Sequence, residues 1–134
     1  MLSLSPTPGT PTAQIYPKTL YDVTSIIGLA GGIMGTVSVQ LKRAIALKVT
    51  TNMLQTPVTE LNDDVRDAVG ELGNMIAGGL KTGLEGKGIC FDISIPTVII
   101  GPGHQIGHMA NSESIFYPFY IEKEPFVVAV SIKL

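Results

Sequence analysis

The feature that most constrains the fold of this 134-residue chain is a long run without charged side chains, residues 23–41. Its length is close to the roughly 20 apolar residues that a membrane-spanning helix needs. The run is interrupted, however, by glycines at positions 28, 31, 32 and 35, and it contains several Thr and Ser residues. Paired glycines between two β-branched segments are typical of a tight turn. We therefore predict a β-hairpin, with strands over residues 21–29 and 33–41, and no membrane span.

Two helices are predicted after the hairpin. Apolar residues recur at helical spacing over residues 42–55, and Pro57 ends this first helix. The second helix is predicted over residues 62–84, where Asp63 and Asp64 suit the positive end of the helix dipole. One side of this helix carries an apolar stripe, which indicates packing on a core. The stripe consists of Leu61, Val65, Ala68, Val69, Leu72, Ile76 and Leu80.

The remainder of the chain is rich in strand-like runs. They are predicted over residues 89–100, 104–109, 114–122 and 126–134, with turns of Gly, Pro, Asn and Ser between them. Strands joined by short turns are antiparallel, so the prediction is an α+β fold with two long helices packed on one face of an antiparallel β-sheet. This domain covers residues 20–134. Residues 1–19 contain four prolines and are predicted to form an extended arm.

Composition limits the class of partner. Charged residues make up 15% of the chain, against a usual share of about 25%, and the net charge is −2. A chain without a basic excess lacks the electrostatic footprint of nucleic-acid binding, so proteins or small molecules are the expected partners. Cys90 is the only cysteine. It cannot form an intrachain disulfide, and the expectation is a reducing, cytoplasmic setting.

A polar stripe on the second helix is the candidate functional face. Its members are Asp64, Asp67, Glu71, Asn74, Gly78 and Lys81. Glu71 and Asn74 are three residues apart, so their side chains are neighbours and can enter one pocket of a partner together. This spacing alone is weak evidence, because roughly one chain in three or four of this size contains it by chance. A solvated helix face is the alternative interpretation.

Glycines inside the second helix also need an explanation, because each lowers the stability of a helix by about 1 kcal/mol relative to alanine. Close packing against the other helix or the sheet is predicted for Gly70, Gly73 and Gly79. Gly78 lies one turn beyond Asn74 on the polar stripe. There, the missing side chain would let the backbone of another protein approach the asparagine.

The polar stripe resembles the Asp-x-x-x-Glu-x-x-Asn phosphatase motif of the CheC, CheX and FliY family, with Asp67, Glu71 and Asn74 in the three positions. Further similarity lies in residues 22–31, residues 93–101 and the Tyr-Pro-Phe of residues 117–119. The resemblance covers residues 20–134. It implies an enzyme that removes phosphate from the aspartyl phosphate of a CheY-type response regulator.

The same resemblance implies roles for individual residues. Glu71 would pair with a lysine of the regulator, and Asn74 would hold the attacking water in line with phosphorus. Asp67, Gly78 and Lys81 are assigned to partner binding. The phosphoryl group, Mg²⁺ and the lysine would all belong to the regulator, so no metal or cofactor of this chain's own is expected. The resemblance further implies a homodimer formed through the sheets.

Two features differ from the usual family pattern. Members of the CheX type begin with a helix before the Pro-rich arm, and residues 1–6 here resemble only the end of that helix, as in a truncated chain. The first predicted helix lacks a Glu-x-x-Asn. The chain therefore resembles the single-site CheX arrangement and not the two-site CheC arrangement.

Other signals in the sequence are weaker. A non-catalytic module that docks on receiver domains or the flagellar switch is the alternative function, and a small-molecule domain with a glycine-rich cleft is a third. His104 and His108 have a spacing that suits zinc on a helix, but they flank a predicted turn and lack a third ligand. The glycine segments 28–35 and 101–107 lack the phosphate-loop pattern and are interpreted as turns.

Overall fold

The computed structural model describes residues 7–8, 21–104, 112–121 and 124–133. These form a seven-stranded antiparallel sheet and two helices. The strands are β1 (Thr7–Pro8), β2 (Tyr21–Gly31), β3 (Gly35–Leu41), β4 (Phe91–Ile93), β5 (Thr97–His104), β6 (Ser112–Ile121) and β7 (Glu124–Lys133). The helices are α1 (Arg43–Leu54) and α2 (Asp63–Glu85). The strand order is β1-β6-β7-β3-β2-β4, and β5 also pairs with β2.

The predicted α+β architecture is confirmed, with one difference in the helices. Only α2, at 23 residues, is long, whereas α1 has 12. Both helices share one core with the central strands β2, β3 and β7. Val23, Val39 and Val128 represent the strands in this core, and Val49 and Val69 represent the helices. Within the described ranges, no helix is long and apolar enough to cross a membrane.

The hairpin of β2 and β3 was predicted correctly, but its strand ends differ. Strand β2 continues to Gly31, because its last residues pair with β4, including Gly31 with Phe91. Strand β3 begins at Gly35 instead of residue 33. A Cβ at Gly35 would overlap the carbonyl oxygen of Ser131 on β7, so the close approach of the two strands requires glycine there.

The single strand predicted over residues 89–100 is wrong, because a loop divides it. Strand β4 ends at Ile93 and β5 begins at Thr97, and both pair with β2. Pro96 has no backbone N–H for a sheet bond, which favours an interruption at this point. Ser94 connects this loop to β2, because its backbone N–H donates to Gly28 O and its Oγ accepts from Gly28 N.

Two further predictions concern the strand over residues 104–109 and the arm of residues 1–19. His104 is the last residue of β5 and does not begin a new strand, while residues 105–109 of the predicted strand 104–109 lie outside the described residues. Thr7 and Pro8 of the predicted arm pair with Tyr120 and Phe119 on β6. The rest of residues 1–19, including the predicted end of a truncated helix, lies outside the described residues.

Helix α2 is fixed at its start by a side-chain cap and along its length by small residues. The Oδ1 atom of Asn62 accepts a hydrogen bond from Val65 N, which satisfies one of the free amides of the first turn. A Cβ at Gly70 would touch Val98 Cγ2 at 3.4 Å, and one at Gly73 would overlap Ser25 Oγ. These two glycines therefore let α2 approach the sheet, as predicted.

The packing role predicted for Gly79 is wrong. Gly79 is exposed, and a Cβ there would meet no described residue within 4 Å. Its position seven residues after buried Leu72 puts it at nearly the same angle on the helix. Near this end of α2 the contacts with the core are made by Leu80 and Leu84.

Leucine substitutions at Gly73 and Gly79 should have opposite effects on stability. We expect Gly73→Leu to lower the free energy of unfolding by about 1–3 kcal/mol or more, because the new side chain would displace Ser25 and Ile27. Gly79→Leu should raise it by up to about 1 kcal/mol through helix propensity. Urea denaturation followed by circular dichroism measures both. Equal effects at the two positions would contradict the packing described above.

Candidate functional site

The polar stripe lies on the face of α2 that points away from the core. Asp67 and Glu71 are exposed, Asn74 and Gly78 are half-buried, and the buried Val65, Val69 and Leu72 lie on the other side of the helix. Because all members belong to one continuous helix, their relative positions are fixed by backbone hydrogen bonds. The structure thus brings Glu71 and Asn74 together on one accessible surface.

Neither Glu71 nor Asn74 is used in holding the protein together. Among the described residues, no hydrogen bond, ion pair or salt bridge involves either side chain. The carboxylate can accept hydrogen bonds, and the amide can donate and accept at once. A free acid and a free amide, one turn apart on a rigid support, are available to groups from another molecule.

An open groove runs alongside this pair. It has a volume of about 560 Å³. The helix contributes Arg66, Asp67, Gly70, Glu71 and Asn74, and the opposite wall is the segment of residues 95–98. The Nη1 of Arg66 donates to Val98 O at 2.8 Å, and the surface of Gly70 packs against Val98 and Pro96. Helix and wall are therefore held together at the bottom of the groove.

The C-terminal part of the stripe is more open. A Cβ at Gly78 would meet no atom of the described residues within 4 Å, so nothing in this part of the chain requires glycine there. Lys81 is half-buried, and its Nζ lies 3.8 Å from Asp92 Oδ1. The Asp92 side chain is 97% exposed, so water weakens this ion pair and Lys81 stays available to a partner.

The two discounted histidines differ in what the structure shows. His104 Nδ1 donates to Gly101 O at 2.7 Å, and Nε2 lies 2.6 Å from Thr24 Oγ1. Both ring nitrogens thus support the end of β5, which is a structural role. His108 lies outside the described residues. In the described ranges, no three His, Cys, Asp or Glu side chains are placed to hold a metal ion.

A second, apolar groove of about 440 Å³ lies between α2 and strands β6 and β7. Met75, Ile76 and Leu80 form its helix side, and the remaining lining residues are also apolar or aromatic. Of the residues that the structure describes, no carboxylate, amine, imidazole or amide side chain lines it. This groove can bury apolar surface, whereas the groove beside Glu71 carries an acid and an amide.

Sequence reasoning missed the second wall of the site. Residues 94–96 were assigned to the middle of a strand, whereas they form a loop that places Ile95 at the groove. Pro96 was the available signal, because proline inside a strand-like run indicates an interruption or an edge. Arg66, which connects the helix to this wall, carried no signal that distinguished it from any solvated arginine.

Comparison with known proteins gives consistent matches. The family model described as chemotaxis phosphatase CheX matches residues 23–120. A protein of Thermotoga maritima named CheY-P phosphatase CheX is 34% identical over 102 residues, which cover 75% of this chain and 66% of that protein. The matched region thus spans slightly less than two thirds of this relative.

Solved structures extend the similarity to nearly the whole chain. The chemotaxis protein CheX of Vibrio vulnificus has a TM-score of 0.92 and 32% identity, with coverage of 99% of this chain and 89% of that one. The Borrelia burgdorferi CheX–CheY–BeF₃–Mg²⁺ complex contains a chain with a TM-score of 0.84 and 27% identity. That match covers 100% of this chain and 88% of the other.

Proposed function

The chain belongs to the chemotaxis phosphatase CheX family, and on that premise we propose that it hydrolyses the aspartyl phosphate of a CheY-type response regulator in chemotaxis signalling. The observation that carries the proposal is the pair of Glu71 and Asn74, both accessible on the outer face of α2 and both without a partner among the described residues. The Thermotoga maritima relative is named for this activity, and the Borrelia burgdorferi relative was solved with CheY.

In this proposal Asn74 orients the attacking water. A carboxamide has no useful pKa near neutral pH and cannot act as a general base, but it can accept one hydrogen bond from a water and donate another. Phosphoryl transfer passes through a loose transition state in which positioning and charge stabilisation provide most of the catalysis. An amide held on a rigid helix supplies that positioning.

The bond changes follow from this arrangement. The water oxygen forms a bond to phosphorus as the bond between phosphorus and the aspartyl oxygen breaks. The regulator's carboxylate leaves with the bonding electron pair, and the water protons end on inorganic phosphate and solvent. No covalent intermediate on this chain is required.

Glu71 anchors the complex. A carboxylate that faced the phosphoryl group would be repelled, so its role makes sense only opposite a cation, which we assign to a lysine in the regulator's active site. A charge-assisted hydrogen bond of this kind is stronger than a neutral one. The regulator also supplies the Mg²⁺ that neutralises the phosphoryl oxygens, and this chain contributes no metal or cofactor of its own.

The other members of the stripe widen the contact. Asp67, one turn before Glu71, borders the groove and adds negative charge towards a basic surface. Gly78 leaves room for the partner's backbone beside Asn74, and Lys81 contacts the partner near the end of the helix. The proposal includes a homodimer formed through the sheets and a cytoplasmic location. These rest on the family resemblance and on the free thiol of Cys90.

Gly78→Leu should separate partner binding from stability. Leucine fits at this position in the isolated protein, so the free energy of unfolding should not fall. The affinity for a CheY-type regulator loaded with beryllium fluoride and Mg²⁺ should fall at least about tenfold, because the side chain would occupy the space of the partner's backbone. Isothermal titration calorimetry measures this, with Gly79→Leu as the matched control. Unchanged affinity for Gly78→Leu would remove Gly78 from the interface.

The rate of phosphate release tests the proposed phosphatase activity directly. A CheY-type regulator that is continuously rephosphorylated by a small phosphodonor releases inorganic phosphate at a rate limited by loss of its phosphoryl group. A catalytic amount of this protein should raise that rate many-fold. If the protein binds the phosphorylated regulator but leaves the rate unchanged, the non-catalytic docking module is the correct function.

A further inference from the structure

Ile95 is the most exposed large hydrophobic side chain of the described residues, at 88%. The next, Met34, is 54% exposed. Single apolar residues on a surface are common and need no explanation by themselves. Two properties distinguish Ile95, which are the rigidity of its loop and its position beside Glu71 and Asn74.

The loop of residues 94–96 is fixed on both sides. Ser94 exchanges two hydrogen bonds with Gly28 on β2, through its backbone N–H at 3.0 Å and its Oγ at 2.8 Å. Its Oγ also donates to Ile95 O at 3.1 Å. On the other side, Pro96 lies close to α2, since a Cβ at Gly70 would touch its Cγ at 3.6 Å. A loop held in this way loses little backbone conformational entropy when a partner covers it.

The position of Ile95 connects it to the proposed chemistry. Ile95 and the pair of Glu71 and Asn74 line opposite sides of the same groove. A protein whose pocket receives the acid and the amide must therefore cover Ile95 at the same time. Exposed apolar residues next to charged ones are the usual composition of a docking surface with a central anchor and a polar rim.

We propose that Ile95 is the apolar anchor of this interface and that it enters a nonpolar depression beside the phosphorylated pocket of the response regulator. This inference rests on the proposed function and adds a determinant of specificity to it. Regulators with an apolar depression at that place bind well, and those with a charged or filled surface there bind poorly. Ile95 contacts the regulator's surface and takes no part in bond breaking.

The contact made by Ile95 should affect KM and not kcat. Burial of Ile95 is the same before and during hydrolysis, so it stabilises the bound state and the transition state equally. Loss of such a contact raises KM and leaves kcat unchanged. Loss of Asn74 is expected to lower kcat and leave KM unchanged, so one kinetic assay separates the two roles.

The test compares Ile95→Ser and Ile95→Leu with the wild type, and uses Met34→Ser as the control at an exposed apolar residue outside the groove. We expect Ile95→Ser to raise both KM and the Kd for the beryllium fluoride- and Mg²⁺-loaded regulator by about tenfold or more. Ile95→Leu should retain most of the affinity, and Met34→Ser should match the wild type.

Two results would overturn the inference. One is an Ile95→Ser variant with wild-type KM and Kd, and the other is an equal loss in Met34→Ser. A wild type that binds but does not hydrolyse would contradict the proposed function instead, and the Kd values would still decide the role of Ile95. Thermal denaturation of each variant excludes loss of folding as the cause, since the Ile95 side chain packs against little of its own chain.

Discussion

Asn74→Ala should lower kcat for dephosphorylation of a CheY-type regulator by about 100-fold or more, while the Kd for the phosphorylated form changes little. The magnitude follows from the effect of losing one group that positions or stabilises reacting atoms. Without the amide, water is still present but is no longer held in line with phosphorus. Single-turnover decay of the phosphorylated regulator, with the variant in excess, measures the step directly.

The same variant provides its own structural control. The Asn74 side chain has no hydrogen bond within the described chain and lies on the outer face of α2, so the melting temperature should change by little. If Asn74→Ala loses binding in proportion to activity, Asn74 anchors the complex and does not orient water. If its activity equals that of the wild type, the water is held by another group.

Replacement of Glu71 should weaken binding of the regulator more than it lowers kcat. We expect Glu71→Gln to raise KM and Kd by roughly tenfold to 100-fold, because a charge-assisted hydrogen bond to the regulator's lysine is worth about 1.5–3 kcal/mol. Glu71→Lys should reduce binding further, since two like charges would meet. Glu60→Gln is the matched control, at an exposed glutamate of the loop before α2 that does not line the groove.

The dependence of affinity on ionic strength shows whether Glu71 anchors the complex by its charge or by its shape. The affinity of the wild type should fall with ionic strength more steeply than that of Glu71→Gln, because the variant lacks the charge that salt screens. Equal salt dependence of the two proteins, or an effect of Glu60→Gln as large as that of Glu71→Gln, would contradict the assigned role of Glu71.

The parts of the fold that depend on local pattern were predictable. Helix α2 has a polar cap at Asn62, acids in its first turn and a regular apolar stripe, so its limits were predicted to within one residue. The hairpin was recognisable from its glycines and from strands rich in β-branched residues. The pair of Glu71 and Asn74 was singled out by its resemblance to the family motif, and helical spacing placed both residues on one face, away from that stripe.

The parts that depend on distant contacts were not predictable. Gly73 and Gly79 are both glycines of one helix. Only the three-dimensional packing shows that Ser25 and Ile27 lie against the first, while no described residue lies within 4 Å of a Cβ at the second. Pro96 signals an interruption near the break between β4 and β5, but the loop itself depends on Ser94, which bonds to Gly28 from a position 66 residues later in the chain. The exposure of Ile95 follows from that break and could not be inferred from alternation within a strand.

The most direct test of the account is the structure of this chain bound to a CheY-type regulator carrying beryllium fluoride and Mg²⁺. The account predicts that α2 faces the regulator's pocket, with the Glu71 carboxylate about 2.7–2.9 Å from a lysine Nζ. The Asn74 amide should lie within hydrogen-bonding distance of a water or fluoride in line with the acyl oxygen. A complex in which α2 faces solvent, or in which either side chain lies outside the pocket, would contradict it.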